Sequence, residues 1–167
     1  MSSDPADTPT PIDSFVMLSD ILTGINADKL KPTLDTFETA DEYFAYALAH
    51  DTNGSFKQLM SIYAANSSQP RDTIASIIFT QSGSDVAYMA RTVMLMWYLG
   101  AWYEPGDLEK YHADPKMFLP FIVISMNSYT QGWVWRVGQT HPMGYSTWRF
   151  GYWHTQPPQL SDFIGGH

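Results

Sequence analysis

The segment that most constrains the fold is an apolar run near the middle of the chain. Ser84 and Asp85 favour the start of a helix. The later part of that helix, Val93–Leu99, is apolar on nearly every side. Since such a helix cannot face water, other elements must surround it. The sequence therefore predicts a helical bundle with this helix at its centre.

Two short amphipathic helices are predicted upstream. The first opens at Ser14 as an N-cap and closes at Gly24. The second tolerates Pro32 only in its first turn. Its three apolar residues are Leu30, Leu34 and Phe37.

Helix signals continue through the next part of the chain. Thr39 and Glu42 have the spacing of a capping box. A further helix follows the stop at Asn53-Gly54, and another runs from near Pro70 to Gly83. These patterns predict a mainly α fold, a small bundle of about five or six helices.

The helical period is lost beyond Gly100. Pro105-Gly106 reads as a break in the chain, and Phe121–Ile124 as a short strand. Long irregular segments of this kind are usually functional or ordered by a partner. The predicted organisation is a disordered leader 1–12, a helical domain 13–115 and an extended, irregular, aromatic partner-binding arm 116–167.

Charge is unevenly distributed along the 167 residues. The formal net charge is −8, which argues against nucleic acid as a partner. Between Met117 and Ser161 the only charged residues are Arg136 and Arg149. An apolar segment with so little charge is expected to lie against another surface.

Neither a membrane span nor a signal peptide is apparent. The longest apolar run, Val93–Tyr103, is about half the length that crosses a bilayer. Met1–Pro11 is polar and lacks the basic and apolar regions of a secretory signal. The sequence contains no cysteine, which excludes disulfides and thiolate metal sites.

Residues for catalysis or metal binding are sparse. Phosphate-binding loops, nucleophile elbows and zinc helices are absent from the sequence. The histidines lack metal-ligand spacing, and structural roles account for them best. Glu104, Asp107 and Glu109 are explained by a solvated turn. We therefore predict neither catalytic residues nor a metal site.

Aromatic residues and arginines alternate in the C-terminal part of the chain. This composition is enriched at the energetic centres of protein interfaces. Two alternatives stay open, namely packing of the rings onto the chain's own helices and stacking against sugars. Trp97 and Tyr98 are predicted to be core residues. The predicted partner-binding anchors are Trp133, Trp135, Arg136, Trp148, Arg149, Tyr152 and Trp153.

Three short motifs carry a resemblance to a known family. Asp13–Gly24 is similar to the opening of the small, or gamma, subunits of membrane-bound FAD-dependent sorbitol, fructose and glucose dehydrogenases. Met96–Gly100 resembles the Ala-Trp-Tyr-x-Gly signature of those subunits. Tyr152-Trp153 followed by Pro157 resembles their aromatic-Trp-x-x-x-Pro ending.

The resemblance implies a non-catalytic accessory subunit. In that family the small subunit binds a large flavoprotein of the glucose-methanol-choline (GMC) type and supports its folding or export to the periplasm. FAD is then expected in the partner chain, with iron–sulfur or haem c centres elsewhere in the complex. A c-type cytochrome subunit is a further expected partner.

Two features depart from the family pattern. The chain shows no twin-arginine leader, and it lacks the tail cysteine that some relatives use to bond the large subunit. Attachment to a large subunit is therefore expected to be noncovalent. The alternative from another class is an independent carbohydrate-binding or enzymatic domain that uses the aromatic and His-rich C-terminal segment.

Overall fold

The computed structural model describes residues 9–142, and this part of the chain is mainly helical, which confirms the predicted fold class. Two short strands, β1 Ala101–Trp102 and β2 Ile122–Val123, pair antiparallel with Ala101 opposite Val123. The α-helices are α1 Pro11–Thr23, α2 Ala27–Leu30, α3 Thr39–Ala49, α4 Ser55–Asn66, α5 Arg71–Ser76, α6 Ser84–Leu99, α7 Pro105–Ala113, α8 Met126–Gln131 and α9 Trp133–Val137.

The apolar helix α6 lies at the centre of the bundle, as its sequence predicts. It packs against α1, α4, α7 and α9. Trp97 is buried in the core, which confirms its predicted position, and its ring lies 6.1 Å from Phe15 and 4.9 Å from Tyr43. Tyr98 is partly buried against the same core, and its hydroxyl donates to the carbonyl of Thr23 at 2.9 Å. These contacts fix the aromatic end of α6 within the body.

The boundaries of α1 show how capping decides a helix start. The predicted N-cap at Ser14 is wrong, because Thr10 accepts a hydrogen bond from the backbone of Asp13 and forms a capping box with it. Pro11 occupies the first helical position, where a missing N–H is tolerated. The predicted end at Gly24 is confirmed, and this residue adopts the left-handed conformation.

The segment between α2 and α3 differs from the prediction. Helix α2 ends at Leu30, so Leu34 and Phe37 lie in an exposed loop rather than on a helix face. The predicted capping box at Thr39 is also absent. Instead, the carboxylate of Asp35 accepts hydrogen bonds from the backbone N–H groups of Phe37 at 2.9 Å and Thr39 at 3.3 Å. This carboxylate accepts the Thr39 N–H that the predicted capping box assigns to the side chain of Glu42.

The remaining helices follow the sequence more closely. Helix α4 begins directly after Gly54, and α5 continues as a π-helical turn over Ile77–Gln81. Pro105 does not break the chain, because it starts α7 from the first helical position. Glu104, which precedes it, accepts a hydrogen bond from the indole N–H of Trp102 at 3.0 Å.

The first part of the predicted arm folds back onto the body. The predicted strand at Phe121–Ile124 is present as β2. Helix α8 is fixed to the end of α6 through Ser128, whose hydroxyl lies 2.8 Å from the carbonyl oxygen of Gly100. The arm is therefore attached to the bundle as far as α9, and residues 143–167 lie outside the described range.

Candidate functional site

Three of the predicted anchors lie on α9. Trp133 has only 4% of its surface exposed and belongs to the core cluster that contains Trp97. This position differs from the exposed one that a partner anchor requires. Within the described chain, Trp133 acts first as a core residue that attaches α9 to the bundle.

Trp135 and Arg136 lie closer to the surface. The indole N–H of Trp135 donates to the carbonyl of Tyr129 at 2.6 Å, and the two rings meet edge to face at 5.3 Å. The guanidinium of Arg136 lies 4.6 Å from the centre of the Trp133 ring. Partial burial on that ring lowers the pKa of Arg136. Arg136 is thus a cation supported by an aromatic face.

Arg136 has no carboxylate partner within residues 9–142. The ion pairs in this range join Lys31 to Asp13, Arg71 to Asp20 and Lys110 to Asp107. Arg136 is exposed to solvent, so its guanidinium is accessible to an anion. The position of Arg136 therefore suits an anion supplied from outside the described chain.

The other four predicted anchors fall outside the described residues. They are Trp148, Arg149, Tyr152 and Trp153. A partner-binding role therefore stays a prediction for the whole set.

A cleft of about 220 Å³ opens beside Arg136. Its walls come from the loop between α2 and α3 on one side and from α8 and α9 on the other. The apolar part of the lining consists of Leu30, Pro32, Leu34, Phe37, Trp97 and Trp133. Leu34 is 90% exposed and Phe37 is 46% exposed. The cleft thus combines buried indole rings with two apolar side chains that extend into solvent.

Three charged residues, Lys29, Asp35 and Arg136, line this cleft. Both carboxylate oxygens of Asp35 accept backbone N–H groups of its own loop. Lys29 and Arg136 contribute positive charge to the lining. Trp97 adds a buried indole N–H that lacks a hydrogen-bond acceptor within the described chain. The cleft therefore favours an anionic group next to an apolar one.

A second surface feature is an apolar ridge, which we define as residues 117–126. Phe118 is 81% exposed and Ile122 is 58% exposed, and Tyr103 stacks on Phe121 at 5.5 Å. The sequence places this segment in the predicted partner-binding arm 116–167, although none of these side chains is among the predicted anchors. The exposed apolar residues of the ridge are Met117, Phe118, Phe121, Ile122, Val123 and Met126.

The histidines in the described range have local partners. His50 stacks on Tyr46 at 3.9 Å, and the Nδ1 atom of His112 lies 2.7 Å from the Tyr88 hydroxyl. Within residues 9–142, His, Asp and Glu form no group of three or more that is placed to hold a metal ion. Local contacts account for the positions of His50 and His112.

Comparison with protein-family models, curated proteins and solved structures gives no significant match. In the part of the chain that the structure describes, no helix combines the length and apolar character needed to cross a membrane.

Proposed function

We propose that this protein is a non-catalytic accessory subunit that binds and stabilises a large FAD-dependent GMC-type sugar or alcohol dehydrogenase subunit. In this role it supports the folding or export of the large subunit. The observation that carries the proposal is the apolar ridge, which leaves six large side chains in water on one short segment. The resemblance of Asp13–Gly24, Met96–Gly100 and Tyr152–Pro157 to the small-subunit family supplies the identity of the partner.

The ridge supports a protein-binding role on physical grounds. Single exposed apolar side chains are ordinary, whereas six within ten residues indicate an interaction surface. Covering apolar surface yields about 25 cal/mol per Å². Since the ridge carries no charge between Met117 and Met126, a partner need not desolvate an ion to cover it. An uncharged apolar surface on the large subunit fits this requirement.

Stabilisation of the partner then follows from linkage. A subunit that binds only the folded flavoprotein adds its binding free energy to the stability of that fold. Catalysis and the FAD belong to the partner chain in this proposal. A c-type cytochrome subunit, iron–sulfur or haem c centres elsewhere in the complex, and a periplasmic location are proposed on the family resemblance alone.

Purification under mild conditions from the native host tests the proposal. We expect a larger polypeptide to accompany the chain, together with the visible absorbance of bound flavin. A colourless, monodisperse single chain would contradict the proposal and favour an independent domain that uses its C-terminal aromatic residues.

Variants of the ridge test whether the flavoprotein binds at this surface. The double variant Phe118→Ser/Ile122→Thr changes two exposed side chains and is expected to weaken co-purification of the flavoprotein while leaving the helical circular dichroism intact. Leu48→Ser is the matched control, because Leu48 is also a half-exposed apolar residue but lies on α3. Equal loss of the partner in both variants would argue against the ridge.

A further inference from the structure

We infer that the cleft between the α2–α3 loop and α9 binds a partner protein segment that carries a carboxylate next to an apolar side chain. The carboxylate would pair with Arg136, and the apolar side chain would enter the cleft beside it. The inference rests on the proposed function in one respect, since it takes the bound segment to come from a partner protein.

Charge complementarity supports the carboxylate. Arg136 has no carboxylate partner within residues 9–142, and its guanidinium is held on the Trp133 ring. A guanidinium fixed in this way presents its N–H groups in a defined direction and binds a carboxylate through paired hydrogen bonds. The Asp35 carboxylate does not compete, because its oxygens accept the N–H groups of Phe37 and Thr39.

The volume and lining of the cleft support an apolar neighbour. A space of about 220 Å³ lies below the usual range of small-molecule pockets, which begins at about 300 Å³, and suits one inserted side chain. Leu30, Trp97 and Trp133 form the floor of this space and expose only a small part of their surface to it. A buried aromatic or aliphatic side chain beside an ion pair is a common arrangement at interface centres.

The rim of the cleft indicates a protein segment rather than a small molecule. Leu34 and Phe37 line the cleft and also extend into solvent. A ligand that fits within the cleft would leave these side chains exposed. A peptide segment that continues beyond the inserted residue would cover them as well, so the rim favours a macromolecular partner.

Titration of the full chain with short synthetic peptides, followed by ¹H–¹⁵N NMR, tests the inference. The probes are end-blocked peptides that contain Phe-Asp or Asp-Phe, with amide counterparts that contain Phe-Asn or Asn-Phe. We expect the acidic peptides to shift the signals of Arg136 and the Trp133 indole N–H, and to bind about tenfold more tightly than the amides.

Substitutions test whether the acidic peptides bind in the cleft. Arg136→Gln is expected to lower the affinity for the acidic peptides about tenfold. Arg91→Gln is the matched control, because Arg91 also lies over aromatic rings, at 5.1 Å from Phe79 and 5.0 Å from Tyr88, but does not line the cleft. Leu34→Ser, at an exposed loop position, should lower the affinity by a smaller factor.

Three outcomes would overturn the inference. They are equal affinity for acidic and amide peptides, equal loss in the two arginine variants, and no saturable shift at any peptide concentration. The peptide titration does not involve the flavoprotein. Peptide binding without flavoprotein co-purification would contradict the proposed function alone, and the reverse result would contradict the cleft alone.

Discussion

The hydroxyl of Ser128 lies 2.8 Å from the carbonyl oxygen of Gly100, which joins α8 to the residue that ends α6. Ser128 is fully buried, and the same carbonyl accepts a hydrogen bond from the backbone N–H of Ile124 at 3.2 Å. Two segments of the arm therefore meet at one glycine. This position should tolerate substitution poorly.

Gly100→Ala is expected to destabilise the fold by at least about 3 kcal/mol. Gly100 has a φ of 66°, and an added Cβ would overlap the backbone of Ser128. Denaturant unfolding of both proteins measures the loss. Gly54→Ala is the control, because Gly54 has a φ of 80° in open space and should lose only about 1 kcal/mol. Similar losses at both glycines would contradict the close approach of α8.

Asp20→Ala is expected to lower the free energy of unfolding by about 2 kcal/mol. The Asp20 carboxylate accepts hydrogen bonds from Arg71 at 2.6 Å and from the backbone N–H of Ala27 at 3.2 Å, so it connects α1 with α5 and α2. Thermal and denaturant unfolding can measure this change. Asp107→Ala removes an exposed pair with Lys110 and should change stability by less than about 0.5 kcal/mol.

The free energy of unfolding should fall as the pH drops from about 4 towards about 2, because Asp13 becomes protonated. Hydrogen bonds from the Lys31 ammonium and the Thr10 hydroxyl lower the pKa of Asp13 from 3.8 to about 2. Because the folded-state pKa is the lower one, the contribution is complete above pH 4 and is lost as the pH falls through the folded value. The measurement is unfolding free energy against pH at low salt.

Asp13→Asn is the control for this pH dependence. The variant should lose the part of the acid dependence that comes from Asp13 and should unfold more easily at neutral pH. Because the side chain of Asp13 is 46% exposed, added salt should reduce the effect. An unchanged acid profile in the variant would show that Asp13 does not contribute.

A comparison of Trp133→Ala with Trp135→Ala should distinguish the buried side chain of α9 from the partly buried one. Trp133 is buried in the core cluster, so its truncation is expected to lower the unfolding free energy by about 3–5 kcal/mol. Trp135 is only partly buried, and its loss should be smaller. Chemical unfolding followed by circular dichroism measures both values. A larger loss at Trp135 would contradict the packing of α9 described above.

The elements that the sequence predicts well are those whose signals are local. The later part of helix α6, Val93–Leu99, is apolar on nearly all sides, and Gly24 and Gly54 mark boundaries through backbone conformations that glycine adopts easily. Such signals depend on a few neighbouring residues. The existence and order of the main helices can therefore be read from the sequence.

Features that depend on a choice between competing local acceptors, or on distant contacts, could not be predicted. The acceptor for the Thr39 N–H is Asp35, and nothing in the local pattern ranks it above the capping box that Thr39 and Glu42 suggest. The burial of Trp133 depends on the return of α9 to α6, which composition does not reveal. The cleft likewise arises where two segments about a hundred residues apart meet, so its lining has no sequence motif.

The arrangement of the core has a consequence for synthesis of the chain on the ribosome. Apart from Trp102 and Trp133, every buried member of the core cluster lies between Phe15 and Trp97. During synthesis, chains generally fold unit by unit, with the N-terminal units first. The body can therefore close around α6 while the arm is still being translated. Its last core member, Trp133, then arrives at a surface that is already formed, so the growing chain is protected from most non-native association before the apolar ridge appears.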